Sequence, residues 1–114
     1  MGFQGGFVAN ETSSATLDAR WTRMRAHKRV LANVKLVVEW EESSKPRSIN
    51  AFTMDVSYSG CLAVVCADLK VAQMVRLIHR DSGSSVEAQV VWRDPRTWDV
   101  GLELVKPDAG FWRL

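Results

Sequence analysis

The chain has 114 residues, of which 46% are hydrophobic and 25% charged, so its composition is that of one ordinary globular domain. Its longest apolar run, residues 61–67, is far shorter than the roughly 20 residues that a membrane helix needs. No basic segment leads into an apolar stretch near the N-terminus, so we expect neither membrane insertion nor a secretion signal.

The net charge of +2 conceals a local asymmetry. Between Asp18 and Lys35, six basic side chains stand against a single acid, and the remainder of the chain is mildly acidic. A short basic segment on an acidic body predicts a local anion site. It argues against a protein that coats a nucleic-acid polymer with its whole surface.

The first 30 residues divide into two segments. Residues 1–18 contain scattered Gly, Ser and Asn without a sustained apolar period, which predicts a flexible N-terminal tail. Residues 19–30 form a basic arm that we expect to be a loop or a short helix. The folded domain is therefore predicted to span residues 19–114, including this arm.

From residue 34 onwards, apolar and polar residues alternate with a period of two, which predicts half-buried β-strands. Residues 61–66 add a short, almost continuous apolar strand, and Pro107-Asp108 predicts the start of a short C-terminal helix. The fold class is therefore all-β, with six short antiparallel strands closed into a barrel, because closure removes the two sheet edges. The predicted inward residues are Val34, Leu36, Val38, Trp40, Phe52, Met54, Val56, Val75, Leu77, His79, Val86, Ala88, Val90, Trp92, Trp98, Val100, Leu102 and Leu104.

The sequence offers no constellation typical of an enzyme. His27 and His79 are the only histidines, and neither stands at metal-ligand spacing from a cysteine. There is no glycine-rich phosphate loop ahead of a helix, so we expect no catalysis, metal or cofactor. Cys61 and Cys66 would lie on opposite faces of one strand and could not form a disulfide, which favours a reducing, cytoplasmic location.

Two short motifs carry binding chemistry. Arg25 and Arg29 stand four residues apart in the basic arm, and a guanidinium can form two bonds with a phosphate or with the O6 and N7 edge of guanine. Asp55 and Ser57 are predicted on the outer face of the second strand, shortly before Gly60. A carboxylate accepts the N1–H and N2–H donors of guanine, a hydroxyl adds a bond, and glycine permits a positive φ and a close approach.

In this order, the two motifs resemble those of the PilZ domain, a bacterial receptor for cyclic di-GMP. The family carries RxxxR before the first barrel strand and [D/N]xSxxG at the end of the second. The segments Val90-Val91-Trp92 and Val100-Gly101-Leu102-Glu103-Leu104 add to a resemblance that covers roughly residues 20–112. It implies a six-stranded barrel that binds cyclic di-GMP on its outer surface, with the arm over the ligand. Met24 stands where many members have another basic residue, which leaves the ligand stoichiometry open.

This resemblance implies a receptor that changes conformation and signals to a downstream protein partner. The alternative is a PilZ-like adaptor that binds another protein with little or no affinity for the nucleotide. Trp92 also has two interpretations: a core tryptophan, or a tryptophan at the barrel rim that packs against a guanine. The ligand-binding residues predicted from the sequence are thus Arg25, Arg29, Asp55, Ser57, Gly60 and Trp92.

Overall fold

A computed structural model describes residues 29–114. The predicted tail, Arg25 and nearly all of the basic arm lie outside these residues. The described part contains seven β-strands and a C-terminal 3-10 helix, Ala109–Trp112. The strands are β1 (Arg29–Leu31), β2 (Lys35–Glu42), β3 (Lys45–Ser57), β4 (Gly60–Val64), β5 (Met74–His79), β6 (Ser85–Asp94) and β7 (Asp99–Leu104).

Six of the strands form the predicted closed antiparallel barrel. The hydrogen-bonded order is β3-β2-β5-β6-β7-β4, and pairing of β4 with β3 closes the ring. This closure lets β4 pair on both sides, with β3 and with β7. No ring strand is therefore left with an open edge along its whole length.

The short strand β1 was not predicted. It pairs with residues 55–57 at the end of β3, whereas β2 pairs with β3 only as far as Phe52. The end of β3 therefore offers backbone groups that β2 does not reach, and Arg29–Leu31 satisfy them. The prediction of a loop or helix is wrong for Arg29 and Val30, which extend the sheet instead.

The barrel interior follows the predicted alternation in most strands. The inward residues of β2 and β5 are buried as expected, except that Trp40, near the end of β2, is half-buried. The 3-10 helix places Phe111 and Trp112 against this core. The other fully enclosed hydrophobic side chains include Leu36, Val38, Ala63, Val65, Leu69, Leu77, Ala88, Val90 and Leu102.

The alternation fails at two β-bulges. In β3 the register with β4 shifts at Met54, so that Thr53 and Asp55 are separated by an additional residue. Thr53 is completely buried while Phe52 is 41% exposed, so the predicted inward position of Phe52 is wrong. In β6 the register with β7 shifts at Val91. A bulge reverses the faces of the residues beyond it, which a strict period of two cannot anticipate.

The ends of three elements also differ from the predictions. Trp98, predicted inward, is 41% exposed and lies in the turn before β7 with a φ of 65°. β4 ends at Val64 rather than at Cys66. The C-terminal segment is one 3-10 turn rather than an α-helix, because Arg113 adopts the left-handed conformation that ends it.

Candidate functional site

A row of paired residues crosses four strands on the outside of the barrel. Trp92 of β6 pairs with Gly101 of β7, Gly101 with Leu62 of β4, and Leu62 with Asp55 of β3. Directly paired residues project to the same face of a sheet. Their neighbours along the strands face the core, so this row faces outward. Those neighbours are Val56, Cys61 and Leu102 in the core cluster, and Val91, which is 2% exposed at the bulge before Trp92.

Asp55 and Arg29 form the charged part of this surface. The Arg29 Nη1 atom lies 3.6 Å from Asp55 Oδ2, with 35% of the arginine side chain and 9% of the aspartate side chain exposed. β1 makes this pair possible, because it runs antiparallel to the end of β3 and sets Arg29 opposite Ser57. Asp55 is thus on the outer face, as predicted, but it is largely covered.

Ser57 shapes the turn that joins β3 to β4. Its Oγ accepts hydrogen bonds from the backbone N–H groups of Ser59, at 3.3 Å, and Gly60, at 3.2 Å. It also lies 3.4 Å from the Gly60 carbonyl oxygen, to which it can donate. Such bonds are those by which a serine stabilises a tight turn. Ser57 is only 6% exposed, so its hydroxyl has a local structural role, and its contact with a ligand stays a prediction.

Gly60 does not use the conformational freedom for which it was singled out. Among the described glycines, Gly83 is the one with a positive φ, at 79°. Gly60 is instead the buried first residue of β4, paired with Glu103 of β7. The other reason given for this glycine, a close approach of ligand to backbone, remains a prediction.

The structure places Trp92 on the outer surface rather than in the core. The bulge at Val91 pairs Trp92 with Gly101, so the indole is half-buried and stands on the same face as Asp55. Gly101 has no side chain to occupy the space between Trp92 and Leu62 on this face. Four predicted residues, Arg29, Asp55, Ser57 and Gly60, thus lie together at the end of β3. Trp92 occupies the same outward row as Asp55, two strands beyond β4.

Two residues that support this site were missed by the sequence analysis. The Thr53 hydroxyl accepts a bond from the Val34 N–H at 2.8 Å and donates to the Ala32 carbonyl at 2.6 Å, which holds the link between β1 and β2. The Trp112 indole N–H donates to the Ser57 carbonyl at 2.8 Å. No local pattern indicates either residue, because both act on segments about 20 or more positions away.

The remaining chemical groups have structural surroundings. His79 is 6% exposed, accepts from the Ser82 N–H at Nδ1 and contacts the Trp112 carbonyl through Nε2, so it is a buried histidine with partners for both ring nitrogens, at the inward position predicted for it. Burial, and secondarily the Asp55 carboxylate, raise the pKa of the Cys61 thiol well above its usual range. Within residues 29–114, no group of three His, Cys, Asp or Glu side chains is placed to hold a metal ion.

Comparison with protein families identifies a match to the PilZ domain over residues 23–112. The chain belongs to the PilZ domain family. PilZ domains are ligand-binding receptor modules for cyclic di-GMP, and the matched range contains every residue of the candidate site. A comparison with curated proteins finds no match. In the described part of the chain, no helix has the length and apolar character needed to cross a membrane.

Proposed function

We propose that this PilZ domain is a receptor for cyclic di-GMP, which binds on the outer face of the barrel at the end of β3. The observation that carries the proposal is the Arg29–Asp55 pair, whose charged atoms lie 3.6 Å apart. Asp55 is one end of the outward row of paired residues, and Trp92 is the other end. A ligand with both phosphates and guanines needs both charges, because phosphates attract guanidinium groups and guanine donors attract a carboxylate.

Each side chain has a distinct role in this proposal. Arg29 binds a phosphate or the O6 and N7 edge of a guanine, and Arg25, outside the described residues, supplies the second guanidinium. Asp55 accepts the N1–H and N2–H groups of a guanine. Trp92 offers an aromatic surface for stacking. Because Arg29 and Asp55 already face each other, ligand binding exchanges part of their mutual attraction for bonds to the nucleotide.

The proposed output is a conformational signal rather than a reaction. β1 has three residues, all exposed, and within residues 29–114 it pairs with β3 alone. Such a short strand at an edge has few contacts to hold it, so it is a suitable element to move when a ligand takes hold of Arg29. A downstream protein would then read the changed surface. Cys61 and Cys66 are both free thiols, which supports a reducing compartment, and we place the receptor in the bacterial cytoplasm.

The adaptor alternative also has an observation in its favour. Leu31 is 86% exposed and Val30 is 43% exposed, on the strand that carries Arg29. Exposed aliphatic side chains at one edge are typical of a surface that binds another protein. The receptor and adaptor functions are compatible if the same edge that responds to the nucleotide also contacts the partner.

Calorimetric titration of the full chain with cyclic di-GMP tests the receptor function, with GTP and cyclic di-AMP as controls. We expect saturable binding of cyclic di-GMP and little heat from either control. GTP shares the guanine and phosphates but has only one base, while cyclic di-AMP lacks the guanine donors that Asp55 would accept. A folded chain that binds none of the three would exclude the receptor function and favour the adaptor.

A further inference from the structure

The turn between β3 and β4 is held by the C-terminal segment through three successive carbonyl groups. The Ser57 carbonyl accepts from the Trp112 indole at 2.8 Å, and the Tyr58 carbonyl from the Asp108 N–H at 3.1 Å. The Ser59 carbonyl accepts from the Leu104 N–H at 2.8 Å. Residues 104–112 therefore clamp the backbone of the turn that contains the Ser57 hydroxyl and ends at Gly60.

Trp112 is itself rigidly placed. It is 2% exposed and its ring packs edge-on against Phe111, with centroids 5.0 Å apart. Its carbonyl lies 3.3 Å from His79 Nε2. Since His79 Nδ1 accepts from the Ser82 N–H, Nε2 is the ring nitrogen that donates to the Trp112 carbonyl. Trp112 is thus held to β5 through its backbone carbonyl and to Ser57 through its indole N–H.

We propose that Trp112 is a positioning residue of the ligand site, which acts through Ser57 without touching the ligand. This inference rests on the proposed cyclic di-GMP function. Without the indole N–H, the buried Ser57 carbonyl would lack this partner, and the peptide would rotate to find another. That rotation moves the Ser57 hydroxyl, whose two bonds to the Ser59 and Gly60 N–H groups set the shape of the turn.

The direct test is the variant Trp112→Phe, which keeps an aromatic ring and removes the N–H donor. We expect a folded protein whose affinity for cyclic di-GMP is about tenfold weaker, the scale of one displaced polar contact. The matched control is Trp40→Phe, since the Trp40 indole donates to the exposed Glu42 carboxylate. Glu42 pairs with Lys45 at the start of β3, at the other end of that strand from Ser57. Equal affinities for wild type, Trp112→Phe and Trp40→Phe would overturn the proposal.

A second measurement needs no ligand. Amide exchange at Ser59 and Gly60 reports the bonds to the Ser57 hydroxyl, and we expect it to be about tenfold faster in Trp112→Phe. Leu69→Ala is the control for a general loss of stability, because it empties a core position in the connection between β4 and β5. If Leu69→Ala accelerates these two amides as much as Trp112→Phe at equal stability, the effect is global and the proposal fails.

These measurements separate the two proposals. If wild type does not bind cyclic di-GMP, the proposed function fails, and the exchange of Ser59 and Gly60 then decides whether Trp112 positions the turn. If Trp112→Phe does not fold, benzothienylalanine at position 112 replaces the indole N–H with sulfur and preserves the ring shape. Normal binding and normal exchange in that protein would overturn the proposal, and weaker binding with faster exchange would support it.

Discussion

Thr53 shows how one buried hydroxyl can control the position of a distant arginine. It is completely enclosed, yet its oxygen bridges the Ala32 carbonyl and the Val34 N–H. These two groups lie between β1 and β2, so the bridge determines where the chain leaves β1. Arg29 is carried on β1, and its distance from Asp55 therefore depends on Thr53 as well as on its own strand pairing.

The variant Thr53→Val tests how much this bridge contributes to stability, because it preserves the shape of the side chain and removes both hydrogen bonds. We expect the free energy of unfolding to fall by about 1–3 kcal/mol, the cost of leaving buried polar groups unsatisfied. The measurement is the urea midpoint. Thr97→Val is the control, since the Thr97 hydroxyl accepts one bond from the backbone N–H of Asp99 at an exposed position. Equal midpoints for Thr53→Val and wild type would show that the bridge contributes nothing.

Arg29 and Arg76 allow a matched test of the charged site. Arg29 faces Asp55 on the candidate surface, whereas Arg76 faces Glu39 at the same 3.6 Å distance with both side chains well exposed. Arg29→Ala should weaken cyclic di-GMP binding by about 2–3 kcal/mol, the loss of a charge-assisted bond and of its partner's pairing. Arg76→Ala should change the affinity little, because Arg76 and Glu39 lie on β5 and β2, which carry no residue of the candidate site. Calorimetry on both variants decides, and similar losses would place the site elsewhere.

At the scale of the strand, the two bulges explain both what the sequence revealed and what it concealed. A period of two correctly predicted the buried faces of β2 and β5, where pairing is regular. It failed in β3 and β6, where the register shifts immediately before Asp55 and Trp92. Bulges are common beside functional sites, where they redirect a side chain. Alternation within one strand cannot reveal them, because a bulge is defined against the neighbouring strand.

The same limit applies to the supporting elements of the site. β1 has no apolar alternation of its own, since all three residues are exposed and the strand exists through its pairing with β3. The contact of Trp112 with Ser57 joins residues 55 positions apart. The sequence could thus predict the barrel and the motif residues at the end of β3. The clamp that holds their turn depends on long-range packing, which has no local signature.

Trp92 provides the prediction at this scale, because the bulge at Val91 decides its face. Trp92→Ala should lower cyclic di-GMP affinity by about 1–3 kcal/mol, the range for stacking of a base on an aromatic ring. Its stability cost should be smaller than the roughly 3–5 kcal/mol of a core tryptophan. Trp98→Ala is the control, since Trp98 is also partly exposed but lies in the turn before β7. A folded Trp92→Ala protein with unchanged affinity would remove Trp92 from the site.

At the scale of the whole molecule, barrel closure determines which groups solvent can reach. β4 is hydrogen-bonded on both sides, to β3 and to β7, and Cys61 lies on its inward face with 1% of its surface exposed. Cys66 lies just beyond this strand and is exposed. A strand paired on both edges cannot open without disrupting the ring, so access to Cys61 requires nearly complete unfolding.

The two thiols should therefore differ greatly in reactivity, and single-cysteine variants make the comparison direct. At pH 8, Cys66 in Cys61→Ala should react rapidly with a thiol reagent, whereas Cys61 in Cys66→Ser should react at least about a thousandfold more slowly, as expected for a site reached by global unfolding. The raised pKa of Cys61 acts in the same direction, because the thiolate is the reactive form.

The raised pKa of Cys61 also predicts a pH dependence of stability. Above the ordinary thiol value of 9.0, the unfolded chain releases this proton while the folded barrel retains it. The free energy of unfolding should therefore fall as the pH rises above this value. The labelling rate of Cys61 should increase with urea in parallel with global unfolding. Rapid labelling of Cys61 without urea would show that β4 opens locally and that the barrel is not closed as described.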